Sequence, residues 1–431
     1  MKVLVVGSGG REHALCWKIA KSPLVEAVLA LPGNPGTARV ARNVEGVSAE
    51  DVLGVVRVAK QEGIELVVIG PERPLCLGLA DALRAEGIAV FGPGEAGAQL
   101  EGSKLFAKEM LDRHRIPTGA WKRFDRAGAA KDYLEGHTEW PLVIKADGLA
   151  AGKGVFVVAD SKEACQVVDQ VMEERQLGEA GGEILIEEFI VGQEVSIHVI
   201  TDGATLLVLD AVEDHKQVGD GDTGPNTGGM GVASPVAWLG RRLMHQIEQR
   251  VLIPMLHALR IDGIPYQGLL YAGLMITEGG PKVLEFNCRF GDPETQALVR
   301  RFKSDLVPYL LAAAEGNLED LAPPEWDKRA CVGVVMCADG YPGDYRKGDP
   351  ILGVDRAEAL VEEAVVFQAG TRQDGPALLT NGGRVLCVTS LGEEIDGARE
   401  GAYTAAERIR YDGAFYRHDI GKRPVTISTG A

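Results

Sequence analysis

The segment LEFNCRFGDPETQ, residues 284–296, begins like a buried strand. It nonetheless carries three carboxylates (Glu285, Asp292, Glu294), two side-chain amides (Asn287, Gln296) and Arg289. Side chains of an extended chain alternate between faces, so Glu285 and Asn287, two apart, project together. A carboxylate and an amide oxygen placed that way can reach one hard cation, and oxygen ligands suit magnesium. Arg289 continues the alternation, where a guanidinium can hold a transferring phosphoryl group. A surface strand of paired charges fits poorly with the flanking Leu284, Phe286 and Phe290.

Four further stretches bear chemistry. EDHKQVGDGDTGPNTGGMGVASP holds five glycines between Gly221 and Gly231, with Asp214, Lys216, Asp220, Asp222 and Asn226 around them. A loop of that length inside a compact domain is seldom only structural. Its glycines admit close backbone approach, and its polar groups could fix a small zwitterion or a sugar phosphate. KADGLAAGKGVFVV is not a Walker loop, since three residues separate Gly148 from Gly152 and Gly154 follows Lys153. It reads either as an ordinary hairpin or as an amide-rich flap over a polyphosphate, with lysines as point charges.

ILIEEFIVGQEVS sets Glu187 and Glu188 side by side in an apolar run, with Glu194 six residues after Glu188. Alternation puts the adjacent pair on opposite faces, so at most one can enter a given site. Solvated edge acids and a nucleoside hinge both remain open. GSGGREH follows a strand and precedes a helix, where backbone N–H groups, Gly9 among them, can meet an anion. As a dinucleotide fingerprint it fails: Glu12 stands at the third glycine, and VEAVLALPGNPG ends without a ribose-binding acid. A nicotinamide dehydrogenase is therefore disfavoured, and a plain tight turn remains an alternative.

Positioning these residues takes an α/β chain. KVLVVG, ELVVIGP and IAVFGP are short β-branched runs stopped by glycine, with helical stretches at Glu12–Lys21 and Leu77–Glu86. That is the rhythm of a doubly wound parallel sheet. From about Ser103 the strands WPLVIKA, GVFVVA, EILIEEFI and EVSIHVI follow with few helices between, which predicts mostly antiparallel sheet. The pattern breaks again at the prolines of NLEDLAPPEWDKRA, and a smaller domain with strands CVGVVMCA and RVLCVTS is expected from about Ala330.

A chain of 431 residues, 45% hydrophobic and 25% charged, reads as a multi-domain globular protein. The opening apolar run is far shorter than the roughly 18 residues of a membrane span, and no export signal is visible. Seven scattered cysteines show no zinc spacing and read as reduced thiols. Cytoplasmic residence is expected. A formal charge of −17 disfavours nucleic acid and anionic membrane as partners.

RFGDPETQ, DGDTGPNTGGMG, KADGLAAGKGV, EEF and VLVVGSGGREHAL together resemble the phosphoribosylamine–glycine ligase (glycinamide ribonucleotide synthetase) family of the ATP-grasp superfamily. The resemblance spans nearly the whole chain. It implies an α/β ATP-grasp fold with a doubly wound parallel-sheet domain at 1–102 and an ATP-grasp domain at 103–325. A mobile lid would lie at about 123–192, and a small α+β domain at 326–431. It implies joining of glycine to 5-phosphoribosylamine through glycyl phosphate in purine synthesis, with ATP and magnesium, or manganese in its place, and a monomer as the working form.

Residue by residue, the resemblance implies that Lys104 and Lys145 hold ATP phosphates under a loop containing Gly148, Gly152, Lys153 and Gly154. Glu187, Glu188 and Phe189, with Glu194, would bind adenosine, and Glu285 and Asn287 would ligate the metal. Arg289 would stabilise the moving phosphoryl group, with Lys145 and Asp292 completing the catalytic set; Asp292 would orient the attacking amine. Asp214, Asp222, Asn226 and Thr227 would border the acceptor site, with Gly9, and Glu72 would meet its ribose. Gln217 stands where the family has arginine, Gln368 where it has histidine, and GVASP replaces GAYSP. Another ATP-grasp carboxylate–amine ligase, or a nucleotide-binding regulator on the same fold, remains the alternative.

Overall fold

The computed structural model describes residues 1–150 and 154–422. A parallel sheet runs in the order Arg42–Asn43, Ala27–Pro32, Lys2–Gly7, Leu66–Ile69, Ala89–Phe91. Its central strand Lys2–Gly7 is apolar at every position from Val3 to Val6 because both faces are covered. Leu4 and Val6 pack with Val55, Ala59 and Leu83, whereas Val3 and Val5 pack with Ala14, Leu15 and Ile19. Helices on both sides explain the uninterrupted run, as in other parallel sheets.

Two helix boundaries differ from expectation. The stretch expected at Glu12–Lys21 is helical over Gly10–Ile19, because the glycine turn itself supplies the cap: Gly9 O accepts from the His13 N–H at 3.1 Å. The stretch expected at Leu77–Glu86 is helical over Leu79–Ala85, set off from a separate short helix at Glu72–Cys76 by Gly78, whose φ of 77° leaves the helical region.

The middle of the chain builds two antiparallel sheets that face different cores. The larger runs Leu206–Val208, Gln193–Thr201, Gly268–Thr277, Gly280–Asn287. The smaller runs Trp121–Phe124, Ile184–Glu188, Leu142–Ala146, Val155–Val158. Helices Ala127–Glu135 and Ser161–Val168 cover the smaller sheet, more helix than the strand-rich sequence suggested. Ile144, Ile184 and Ile186 pack with Ala130, Leu134 and Val168 in a core of their own. The smaller sheet and its two helices thus form a lobe with a core of its own.

The third large sheet crosses the sequence boundaries. Its order is Glu213–Asp214, Gly231–Ser234, Ala330–Cys337, Arg384–Gly392, Ala364–Gln368. The strands flanking the glycine-rich loop are thus hydrogen-bonded to the C-terminal segment. Helix Ile395–Ala406 lies close on this sheet through the small buried side chains Ala398 and Ala402, beside Val332 and Val334. No helix among the described residues is long and apolar enough to cross a membrane.

Candidate active site

Glu285, Asn287 and Arg289 leave the edge strand of the larger sheet on its polar side, while Phe286 and Cys288 between them are buried in the core behind. The ladder slips at this point: Glu285 faces Gly273 and Val283 faces Leu274, so Leu284 is an extra residue. A bulge frees backbone groups from the ladder. Lys145 Nζ, from the smaller sheet, donates to Leu284 O at 3.0 Å. The lobe's lysine therefore ends beside the acidic strand.

Lys216 of the glycine-rich segment lies 2.6 Å from Glu194 Oε1 and 3.3 Å from Glu285 Oε1. Its charge, working against burial and assisted by Lys145 and Lys104, holds the Glu285 carboxyl down to about 2. Burial alone would lower Lys216, but Glu194 and Glu285 outweigh it and lift the ammonium well above the ordinary lysine range. Among the described residues no group of three or more His, Cys, Asp or Glu side chains gathers to cage a metal. An ionised carboxylate and an amide oxygen on one face fit magnesium, which commonly takes one or two protein oxygens and completes its shell from water and substrate phosphates.

Arg289 is held by four oxygens. Its Nη2 donates to Asn287 Oδ1 at 3.1 Å and lies 2.7 Å from Glu101 Oε1; Nε donates to Glu72 Oε2 and Nη1 to Phe290 O, both at 3.2 Å. The two N-terminal carboxylates respond oppositely. Burial raises the Glu72 carboxyl, but Arg289 and then Arg11 overcome it and bring it to about 2. Glu101 is more deeply buried, and there burial outweighs Arg289 and lifts the carboxyl to about 7.

The paired acids of the smaller sheet face opposite ways. Glu187 is buried, its Oε2 2.8 Å from Lys108 Nζ and 3.1 Å from Lys145 Nζ. Glu188 turns to the other face, where Lys282 Nζ donates to it at 2.6 Å, beside a cleft of about 620 Å³ lined by Ile116, Pro117 and Trp121. Phe189 is half-exposed at the crossing between the two sheets. Lys104 Nζ donates to Gly148 O at 3.0 Å, at the mouth of the flap loop, and Gly154 O accepts from Ala146 N–H at 2.9 Å. Gly152 and Lys153 lie outside the described residues.

Asp292 receives the Arg11 backbone N–H at 3.3 Å and the Gln296 amide at 2.8 Å. Burial would raise its carboxyl, yet Arg384 and Arg11 bring it below the ordinary carboxylate range. Gly9 N–H donates to Glu12 Oε2 at 2.6 Å. The residue at the third-glycine position thus occupies the amide that the anion-binding expectation needs. Asp214 is buried with Oδ1 unpartnered, and burial, followed by the negative charge of Glu294, raises its carboxyl. A Cβ at Gly229 would stand 2.8 Å from that oxygen, so only glycine allows the approach.

The hairpin beyond Lys216 is fastened by the C-terminal segment. Arg417 donates to Gln217 O at 3.0 Å and Asp222 Oδ1 at 2.9 Å, and Gly221 N–H donates to Asp419 Oδ2 at 2.8 Å. Asn226 pairs across the hairpin with Gln217, and Thr227 Oγ1 donates to Lys216 O at 2.7 Å. Gln368 is buried, its N–H donating to His13 Nδ1 at 2.9 Å. Lys108, Glu101, Arg11, Arg384 and Arg417 escaped sequence reasoning. Each makes a contact far along the chain that no local pattern signals, although Arg11 itself sat inside GSGGREH, as Lys216 and Glu294 sat inside their segments.

Family models for phosphoribosylglycinamide synthetase match in three parts: the N domain over residues 1–101, the ATP-grasp (A) domain over 102–295 and the C domain over 331–423. Phosphoribosylamine–glycine ligases of Vibrio vulnificus (strain YJ016) and Allochromatium vinosum are 48% and 50% identical over 428 residues, 99% of each chain. The crystal structure of the phosphoribosylamine–glycine ligase of Thermotoga maritima superposes with a TM-score of 0.84 at 33% identity, covering 97% of this chain and 100% of that one. A biotin carboxylase domain of Hydrogenobacter thermophilus 2-oxoglutarate carboxylase shares the fold, with a TM-score of 0.72 at 17% identity, over 96% and 91% of the two chains. With models matched in chain order from residue 1 to residue 423 and relatives aligned end to end, the chain belongs to the phosphoribosylglycinamide synthetase family of ATP-grasp ligases.

Proposed function

We propose that this protein uses ATP to join glycine to 5-phosphoribosylamine through glycyl phosphate, yielding glycinamide ribonucleotide, ADP and phosphate for purine biosynthesis. One observation carries the reading beyond family membership: Lys145 of the smaller lobe meets the strand of Glu285, Asn287 and Arg289 across the cleft. Phosphates are bracketed there by cations on both sides, with paired oxygens between them for a metal.

A carboxylate is a poor acyl donor because its leaving group would be oxide; phosphorylation replaces that with phosphate. Positioning and charge stabilisation are the protein's main tasks in such a transfer. Lys104 and Lys145 hold ATP phosphates, and Arg289 meets the charge that develops on the moving phosphoryl group. Glu285 and Asn287 would hold magnesium, or manganese in its place, which supplies neutralisation of phosphate charge. Glu187 and the segment through Phe189 bind the nucleoside, with Glu194 at its ribose. The unpartnered Asp214 oxygen suits the glycine ammonium. Asp292, kept ionised by Arg384 and Arg11, accepts a hydrogen bond from the attacking amine. Thr227, Asn226 and Asp222 line the acceptor side with Glu72. The chain acts as a monomer in the cytoplasm on small molecules.

The test is ADP release with ATP, magnesium and glycine, with and without phosphoribosylamine generated in the cuvette, on wild type and Glu285→Ala. Turnover should require all three substrates and fall at least about a hundredfold in the variant, as removal of a group aimed at developing charge does. Turnover with a different acid or amine in place of these would overturn the assignment.

A further inference from the structure

Lys108 lies one helical turn beyond Lys104 on the helix Lys104–Arg113. At 3% exposure it is an almost fully buried ammonium, and its two partners come from separate parts of the chain. Its Nζ stands 2.8 Å from Glu187 Oε2 on the smaller sheet and donates to Thr118 Oγ1 at 2.8 Å. Thr118 in turn donates to Val283 O at 2.7 Å, two residues before Glu285. Lys145 approaches the same Glu187 oxygen at 3.1 Å.

Both lysines therefore sit on Oε2. The second oxygen, Oε1, is buried with no partner. A buried acceptor left without a donor bears its full desolvation cost, so a ligand N–H completes the arrangement. The group lies inside the cleft, because Lys145 spans from this carboxylate to Leu284 O beside Glu285. We propose that Lys108 is a positioning residue for nucleobase recognition: by holding Glu187 Oε2 it presents Oε1 to an exocyclic amino group and selects a 6-aminopurine over a 6-oxopurine.

The inference rests on the reading of this cleft as the nucleotide site. A 6-oxo group would set its lone pairs against a carboxylate oxygen that no donor shields, a repulsive contact that discriminates as strongly as an attractive one. Without Lys108, the carboxylate keeps Lys145 alone and can rotate, so either oxygen can turn to the ammonium. Discrimination then falls, while the phosphate and metal groups are unchanged.

The experiment measures ATP and GTP dissociation constants on the full chain by calorimetry, with magnesium present, for wild type, Lys108→Met, Lys108→Arg and Glu187→Gln. Wild type should prefer ATP by about a hundredfold or more, in the range seen when a polar pocket is left unpaired. Lys108→Met should shrink that preference at least tenfold, mainly by weakening ATP, and Lys108→Arg should restore part of it. A merely structural lysine would weaken both nucleotides alike. An unchanged ratio in folded Lys108→Met, or equal weakening of ATP and GTP, would overturn the proposal. If Lys108→Met does not fold, an unchanged ratio in Glu187→Gln overturns it equally. Binding needs no ligation, so a wild type that prefers ATP but fails to ligate glycine sinks the assigned reaction and leaves this inference standing. A wild type that binds both nucleotides equally does the reverse.

Discussion

Replacing Arg289 with alanine separates catalysis from stability, because the guanidinium serves two carboxylates whose responses differ. For catalysis, loss of one donor aimed at developing charge costs about 2.7–4 kcal/mol, roughly a hundred- to thousandfold in kcat. For stability, Glu72 is held at about 2 against an ordinary 4.5, with Arg289 the largest favourable influence. At 1.36 kcal/mol per pH unit that difference is worth about 3 kcal/mol. A depressed carboxyl contributes stability above its unfolded pKa of about 4.5 and loses it as pH falls toward 2. Glu101, already at about 7, rises further without Arg289 and sheds its charge by taking up a proton, which limits the cost on its side. The variant should therefore melt cooperatively, be about 2–3 kcal/mol less stable than wild type at pH 8, and converge with it only as pH falls from about 4.5 toward about 2. Steady-state ADP release and denaturant melts at several pH values read both quantities. A folded Arg289→Ala protein with turnover within about threefold of wild type would remove the arginine from the mechanism.

Glu101→Gln should show the opposite pH dependence. The wild-type carboxyl is raised from 4.5 to about 7, so the unfolded chain ionises first and native stability declines as pH rises between those values. The amide does not titrate, so the variant should gain on wild type across that interval, reaching about 3 kcal/mol above pH 7, while kcat falls because Arg289 loses its nearest anchor. A stability difference that is flat from pH 5 to 8 would refute the assignment of Glu101 as the burdened group. Asp214→Asn should raise the glycine KM roughly ten- to hundredfold, the worth of a charged hydrogen bond, and leave the ATP KM unchanged. Equal effects on both substrates would place Asp214 in the scaffold and not in the glycine site.

Much of this protein is legible along the chain because its signals are local. The uninterrupted apolar run at Lys2–Gly7 announces a strand covered on both faces, and the alternation through Glu285, Asn287 and Arg289 announces one polar face over a core. Period-two geometry also places Glu187 and Glu188 on opposite sides. What the chain alone leaves undetermined depends on separations that no local pattern encodes. Glu101 and Glu72 reach Arg289 from about two hundred positions away; Arg417 fastens the hairpin at Asp222 from a similar distance. The bulge at Leu284 is a register slip, fixed by how two strands pair. Likewise the sheet that joins Glu213–Asp214 and Gly231–Ser234 to the C-terminal strands ignores the domain order of the sequence. Residue type and periodicity determine which groups could do chemistry and which way they face. Burial decides the rest, because only packing removes water from a particular carboxylate and brings a particular cation to it, as the contrast between Glu72 near 2 and Glu101 near 7 on one arginine shows.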